Sequence, residues 1–289
     1  MPAPAPARNV PPRFVPLPRG AGGHNPVGHT HPMISLVSLD PANVLTISAP
    51  EQTFVVPGLE IGDAVLVFPP NALTAGVTAR ASRIDTANTL SVRFLNPTVG
   101  GVNAPAQNWS VVNLRGFPQQ DLLINPASVA ADHADHQNVT IPGLHVGDII
   151  LAIPPAALIA DVDFVACQVA VANTLPLIGC NPTAGPVDAA AQVWRIVNLR
   201  GHHMSVFTID PANVVLATAG NFDITVPGLH AGDCVLAVPP AALEAGLFPV
   251  TLRCATANTL RLRIANPTVG AVDPAAAPWV LVNFGGIAP

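Results

Sequence analysis

A block of about 85 residues occurs three times along the chain, and its markers keep their spacing without insertion or deletion. Each marker returns 85 and 170 residues later; in the first copy the markers are PGL from Pro57, GD from Gly62, PP from Pro69, ANTL from Ala87, NPT from Asn96, and Trp109. Loops at a free surface tolerate length changes, so three copies with identical loops predict three equivalent environments. A closed ring with a pseudo-threefold axis supplies such environments. A row of separate domains is the alternative, because recent duplication also gives equal lengths.

Strand patterns dominate each copy. The segment Thr89–Leu95 alternates apolar and polar side chains, and Arg93 takes a polar position. The third copy places Arg261 and Arg263 in the polar positions. This period of two predicts a half-buried strand with its arginines toward solvent. The second copy contains Pro176, which predicts an edge strand or a bulge there.

A second strand follows each Gly-Asp turn and is apolar on both faces. Its three copies are residues 64–68, 149–153 and 234–238. Such a run is typical of a strand covered on both sides. We expect one face to contact the core of its own repeat and the other face to contact a neighbouring repeat.

The remaining pattern predicts an all-β fold. The other strand candidates of the first copy are Ile34–Leu39, Val44–Ser48, Thr53–Val56, Val77–Arg83 and Trp109–Leu114. About seven strands in roughly 80 residues are typical of a small β-sandwich, here jelly-roll-like. The Pro-Pro-x-Ala-Leu segment predicts a single helical turn, since proline is tolerated at a helix start. Long helices do not alternate with the strands, which excludes an α/β fold.

The repeated turn residues have structural interpretations. Gly58 follows Pro57 and can adopt a positive φ. Asp63 can accept hydrogen bonds from backbone amides of its own turn. We expect Trp109 to anchor the core of its repeat.

The chain is predicted to consist of an extended arm followed by three tandem sandwich domains, with the boundaries 1–33, 34–118, 119–203 and 204–289. The arm is rich in proline and contains Arg8, Arg13 and Arg19 but no acidic residue. Such a segment favours a polyproline-like conformation, which extends about 3.1 Å per residue and so reaches on the order of 100 Å. The arm is therefore a basic tether on an acidic body.

Composition excludes several classes of protein. Half of the residues are hydrophobic and the net charge is -5, which argues against disorder and against a nucleic-acid-binding surface. No apolar run approaches the roughly 18 residues of a membrane span. The N-terminal segment lacks the apolar core of a secretory signal, so export by the general secretory route is not expected.

Cysteines and histidines give no metal site. The cysteines have no CxxC spacing, so we expect free, partly buried thiols rather than zinc ligands or disulfides; they are Cys167, Cys180, Cys234 and Cys254. Two histidine clusters occur, His24, His29 and His31 in the arm and the segment Asp132–His136. The first has no acidic residues near it, and the second is interpreted as a surface loop.

No catalytic motif is present. The chain has no nucleophile elbow, no HExxH and no phosphate-binding loop. The acids present in all three copies are Asp63, Asp148 and Asp233, which lie in a turn. We therefore predict a protein that is not an enzyme and needs no cofactor.

The order PGL, GD with an apolar strand, PPxAL, ANTL with an arginine-bearing strand, NPT and a late tryptophan resembles small β-rich domains of tailed-bacteriophage structural proteins. These include capsid decoration, head-fibre and tail-associated proteins. The resemblance covers residues 34–286 and does not cover the arm. It implies a virion structural protein on the phage particle surface, made in the host cytoplasm and without catalytic residues.

The expected function is decoration or cementing of a phage capsid, with the arm docking on the major capsid protein or another virion protein. Arginines of the arm would meet acidic capsid residues and its apolar side chains would be anchors; the candidate partner-binding residues are Arg8, Arg13, Phe14, Val15, Leu17 and Arg19. The alternative is a head-fibre, tail-fibre or spike component that binds a host glycan or another tail protein. A bacterial adhesin is a third class, against which the missing export signal counts. A homotrimer with bundled arms also fits the sequence.

Overall fold

A computed structural model describes the chain over residues 33–70, 77–81, 84–155, 162–199, 204–215, 218–251 and 254–286. Within these ranges it forms 18 β-strands and no helix. The first repeat contains β1 (Met33–Leu39), β2 (Glu51–Val55), β3 (Val65–Phe68), β4 (Thr78–Ala81), β5 (Thr89–Leu95) and β6 (Gln107–Asn113). The second contains β7 (Gln119–Ile124), β8 (His133–Thr140), β9 (Ile150–Ile153), β10 (Asp163–Ala166), β11 (Thr174–Asn181) and β12 (Gln192–Asn198). The third contains β13 (Met204–Ile209), β14 (Thr218–Thr225), β15 (Asp233–Val238), β16 (Phe248–Thr251), β17 (Thr259–Asn266) and β18 (Ala277–Gly286).

Each repeat forms two three-stranded antiparallel sheets. Their strand orders are β1-β6-β3 with β2-β5-β4, β7-β12-β9 with β8-β11-β10, and β13-β18-β15 with β14-β17-β16. The predicted all-β class is confirmed. The repeats have six strands each in the described residues, fewer than the seven expected and than the eight of a jelly roll.

Two local predictions are wrong. Val44–Ser48 is not a strand, because a turn at Thr46 and Ile47 leaves only single bridges on either side, Val44 to Val102 and Ser48 to Asn96. The third Pro-Pro-x-Ala-Leu segment forms a hydrogen-bonded turn, with the Leu243 amide donating to the Pro240 carbonyl at 3.2 Å, and not a helical turn. Its first two copies fall partly outside the described residues.

Pro176 also departs from expectation, because it lies in the central strand β11, in register with Asn138. In an antiparallel sheet the N–H and C=O of one residue point to the same neighbouring strand. The Pro176 carbonyl accepts from the Cys167 amide, just beyond the end of β10 at Ala166. The pair of Pro176 with Cys167 therefore keeps one of its two hydrogen bonds and lacks the reciprocal one, because proline has no N–H.

The strand after each Gly-Asp turn contributes to two cores. Val65 and Val67 of β3 pack with Trp109 inside the first sandwich. The alternate positions, Leu66 and Phe68, belong to a separate cluster that contains residues of all three repeats. The second and third repeats contribute Leu151, Ile153 and Val238 at these positions, and the cluster also contains Ala64 with its counterparts Ile149 and Cys234. The predicted two-sided burial of this strand is confirmed.

Each repeat contacts both of the others, so the three repeats close into a ring. Arg195 of the second repeat donates to the carbonyl of Gly62 in the first. Gln168 of the second repeat donates from Nε2 to the Pro278 carbonyl of the third at 3.0 Å. The rings of Phe284 and Phe68 then join the third repeat to the first, with centroids 6.3 Å apart. A row of domains would leave the first and third repeats apart.

In the first and second repeats, the buried tryptophan packs against an aromatic ring of another strand. Trp109 packs edge to face on Phe94 of β5, with ring centroids 5.9 Å apart. Trp194 packs on Phe164 of β10 at 5.3 Å. Gly179 is the counterpart of Phe94 in the second repeat. The Phe164 ring fills the space that a larger residue at Gly179 would need.

Gly179→Ala is expected to lower the free energy of unfolding by about 1–3 kcal/mol, the cost of overpacking a filled core. A Cβ at this position would lie 2.7 Å from Cε1 of Phe164 and 2.7 Å from Cγ2 of Val129. Urea titration gives the comparison, with Gly185→Ala as control because a Cβ there meets nothing within 4 Å. Equal loss of stability in the two variants would contradict this packing.

Candidate functional site

The predicted partner-binding residues of the arm lie outside the described residues. They are Arg8, Arg13, Phe14, Val15, Leu17 and Arg19. The arm histidines His24, His29 and His31 lie outside as well. The arm therefore stays a prediction.

The repeated aspartate organises its turn, as predicted. Asp63 Oδ2 accepts from the Glu60 amide at 2.9 Å and from Asn113 Nδ2 at 2.8 Å. Gly58 has a φ of 91°, which also agrees with the sequence interpretation. Amides at His145 and His230 donate in the same way to the second and third aspartates, both at 2.9 Å. These carboxylates hold a turn together in every copy.

The first copy adds a charged network to this turn. Arg115 donates from Nε to Asp63 Oδ1 at 2.8 Å and from Nη1 to Glu60 Oε1 at 2.8 Å. Burial raises the pKa of Asp63, but hydrogen bonds from Arg115, the Glu60 amide and Asn113 outweigh it and hold that pKa below its ordinary value. Asp63 is thus an ionised acceptor with a structural role.

The cysteines of the described residues are buried, and the histidine segment of the second repeat belongs to a strand. All four cysteines are free, as predicted, and fully buried rather than partly buried. Burial raises the pKa of Cys167 and of Cys254 to about 12, which keeps both as unreactive thiols. The segment Asp132–His136 is mostly strand β8 and not a loop. No group of three or more metal-ligating side chains occurs in the described ranges.

Three partly exposed arginines of the described body form ion pairs with its own carboxylates. Arg261 pairs with Asp223 at 2.6 Å, and Arg195 pairs with Asp121. Arg115 pairs with Asp63 and Glu60, as described above. These three guanidinium groups of the described residues are therefore already paired within the body. The described residues contain no helix of the length and apolarity that crossing a membrane requires.

A buried polar cluster lies where the repeats meet, and the sequence interpretation missed it. Arg93 and Arg263, predicted to face solvent, are 2% and 0% exposed. Arg93 donates to the Ala49 carbonyl at 3.2 Å, and Arg263 donates to the Val77 carbonyl of another repeat. Asp163 is also buried, at 3% exposure. The period of two identified the polar face correctly but assigned it to solvent, whereas neighbouring repeats cover it.

An exposed apolar tip lies on two adjacent loops of the first repeat. Leu45, Ile47 and Val99 are 65%, 38% and 83% exposed. The Ile47 amide donates to the Thr98 carbonyl, which ties the two loops together. Ile47 has a φ of 46°, in the left-handed region that a β-branched residue rarely adopts. Strained backbone conformations cluster at functional sites, so the exposed tip is a candidate contact surface.

The equivalent tip of the second repeat has the same backbone without the strain. Asp132 has a φ of 50° and its amide donates to the Thr183 carbonyl at 2.9 Å. Aspartate tolerates the left-handed region better than isoleucine does. Nothing in the sequence pattern pointed to Ile47, because the residue type gives no sign of its dihedral angle.

Comparison of the chain with protein-family models, with curated proteins and with solved structures finds no match. The resemblance in motif order therefore remains an interpretation of the sequence.

Asp63→Asn is expected to lower the free energy of unfolding at neutral pH by about 1–3 kcal/mol, because hydrogen bonds to a charged acceptor become weaker. The folded-state pKa of Asp63 is lowered, so its stabilisation is complete above the unfolded-state pKa of about 4 and is lost as pH falls through the folded-state value. Urea unfolding between about pH 2 and pH 7 should give a flatter pH profile for the variant. The control Asp188→Asn, at an exposed position, should keep the wild-type slope.

Ile47→Asn is expected to raise the free energy of unfolding by about 0.5–1 kcal/mol, because asparagine tolerates the left-handed backbone. The matched control is Leu45→Asn, which removes a more exposed apolar side chain at a residue without a positive φ. Thermal and urea unfolding of both variants provide the measurement. A stability gain that is equal in both would mean that the loss of exposed apolar surface, and not relief of strain, is the cause.

Proposed function

We propose that this chain is a structural protein of a tailed-phage virion that decorates or cements the capsid surface. The arm would dock on the major capsid protein or another virion protein, and the ring would cover the surface beside it. The motif order within each repeat supports the virion class. The architecture of the described residues supports the role within that class.

The observation that carries the proposal is the closed ring made by one chain. The shared apolar cluster takes equivalent residues from all three repeats, and the first and third repeats are in direct contact. One chain thus presents three related surfaces about a single axis. A capsid lattice contains threefold and quasi-threefold positions, and such a ring matches their geometry without association of separate subunits.

Charge supports docking through the arm. Acidic side chains are exposed on the body, among them Asp40, Asp188, Asp210 and Asp273. The arm carries Arg8, Arg13 and Arg19 and no acid. A partner with an acidic surface would attract the arm and repel the body, which fixes the orientation of the ring. Exposed ion pairs are individually weak, so attachment would gain from apolar anchors in the arm and from many copies on one particle.

The alternative is a head-fibre, tail-fibre or spike component that binds a host glycan or another tail protein. The apolar tip of the first repeat favours it, because Leu45, Ile47 and Val99 offer a contact surface on the body itself. Copy number distinguishes the two functions. Decoration requires hundreds of copies per particle, and a tail component requires a dozen or fewer.

The test is co-sedimentation with purified heads of the phage that encodes the chain. We expect saturable binding of the full chain, on the order of hundreds of copies, and loss of that binding on deletion of residues 1–33. A variant with Arg8, Arg13 and Arg19 replaced by glutamine tests the contribution of the arm's positive charge to binding. A Phe14→Ala, Leu17→Ala variant tests the contribution of its apolar side chains. Circular dichroism and Tm should be unchanged by the deletion.

Undiminished binding after the deletion would contradict docking through the arm. Binding to tails but not to heads would contradict decoration and favour the alternative. In that event Leu45→Asn and Val99→Asn test whether the apolar tip makes the contact.

A further inference from the structure

A small cavity lies where the edges of the sandwiches meet around the pseudo-threefold axis. Its volume is about 40 Å³, and it is lined by residues of all three repeats, including Phe68, Arg80, Val165, Leu236 and Val250. Arg80 is the one charged side chain among its lining residues, and the others are apolar. A cavity needs roughly 10–15 Å³ to hold one water, so this one has room for a few species of that size.

The guanidinium of Arg80 has no hydrogen-bond acceptor among the described residues. The guanidinium lies over the Phe248 ring, whose centroid is 5.9 Å from Cζ of Arg80. Arg80 retains some accessible surface, although the strands of three repeats surround it, because it lines the cavity. A guanidinium carries five N–H donors and stays charged in proteins. Leaving these donors and this charge without a partner inside a protein is costly.

The charged groups that the structure describes on the strands around the cavity do not balance. The layer around the cavity holds three guanidinium groups of the described residues, Arg80, Arg93 and Arg263, and two carboxylates, the partly exposed Glu51 and the buried Asp163. Glu51 pairs with Arg93 at 3.3 Å. Asp163 Oδ1 accepts from the Phe164 amide at 2.8 Å, and no ion pair joins it to Arg80 in the described residues. The formal charge of these five groups is therefore one positive unit.

Electrostatics around Arg80 agree with this description. Burial lowers the pKa of Arg80, and the charge of Asp163 opposes that effect. Burial raises the pKa of Asp163, and the charges of Arg80 and Arg93 oppose it. The two groups thus sense each other's charge without direct contact. One further negative charge beside Arg80 would neutralise the layer.

We propose that this cavity binds a small monovalent anion, chloride or a similar halide, with the Arg80 guanidinium as its main donor. The size of the cavity limits the ligand to a halide with little accompanying water. Water alone would satisfy N–H donors but would leave the positive charge unbalanced. The strands that line the cavity are also edge strands, and edge strands present backbone amides that can donate to an anion. The inference is independent of any role on a virion.

An anion at this position would stabilise the ring, because the site exists only when the three repeats are assembled. The first test measures the Tm of the full chain while chloride or bromide replaces gluconate at constant ionic strength. Constant ionic strength keeps the non-specific screening of surface charges equal in all samples. Gluconate is too large for the cavity, so the samples differ only in whether an anion can bind there. We expect Tm to rise by roughly 2 °C or more between zero and about 0.3 M halide.

Variants assign the effect to the cavity. Arg80→Met should abolish the halide-dependent rise, whereas Arg261→Met, at a partly exposed arginine paired with Asp223, should keep it. Asp163→Asn removes a nearby negative charge and should enlarge the rise. Arg80→Lys keeps the positive charge and N–H donors on a shorter side chain. This variant tests the site if Arg80→Met does not fold.

The second test is direct. Crystals of the full chain grown in sodium bromide should show an anomalous peak inside the cavity beside Arg80. No halide dependence of Tm in the wild-type protein, or bromide peaks on the surface alone, would overturn the proposal and leave water as the occupant. A halide effect that persists in Arg80→Met would also overturn it, because the anion would then act elsewhere.

Discussion

Burial of both faces of the strand after each Gly-Asp turn is the constraint on which the structure depends. A three-on-three sandwich can cover only the inner face of β3, so Leu66 and Phe68 need a second partner outside their own repeat. Each fully buried side chain of this kind contributes about 1.5–3 kcal/mol relative to exposure. The three repeats supply that partner to one another in a shared cluster. An isolated repeat would expose this apolar surface, so the ring is the stable unit of the body.

Equal repeat lengths follow from the same constraint. At the junction of the second and third repeats, Gln168 lies beside the Gly-Asp turn of its own repeat and donates to the Val238 and Pro239 carbonyls at the Pro-Pro segment of the next. An insertion in either loop would enter a junction rather than solvent. Loop length is therefore restricted in all three copies, unlike that of ordinary surface loops.

The sequence predicted the class of fold, most strand positions and the second contact of the apolar strand, because alternation and turn residues report local geometry directly. It failed where tertiary packing reverses the usual meaning of a pattern. Arg93 and Arg263 occupy polar positions of a regular strand, yet carbonyl oxygens and neighbouring repeats surround them. The candidate sites show the same limit. The φ of Ile47 and the cavity beside Arg80 depend on backbone dihedrals and on contacts between residues far apart in sequence.

A single chain allows the three junctions to differ, which a ring of identical subunits does not. Arg80 is replaced by Val165 and Val250 in the other repeats, so one guanidinium lines the cavity instead of three. A homotrimer would place three such charges together, and their repulsion would oppose assembly. The exposed tips of the repeats also differ, because the first repeat has Ile47 where the second has Asp132. On a threefold position of a capsid, the ring would fit by its shape in three orientations. The single arm and the unequal tips make these three orientations chemically different. Such a ring combines the shape of a trimer with the binding specificity of a single chain.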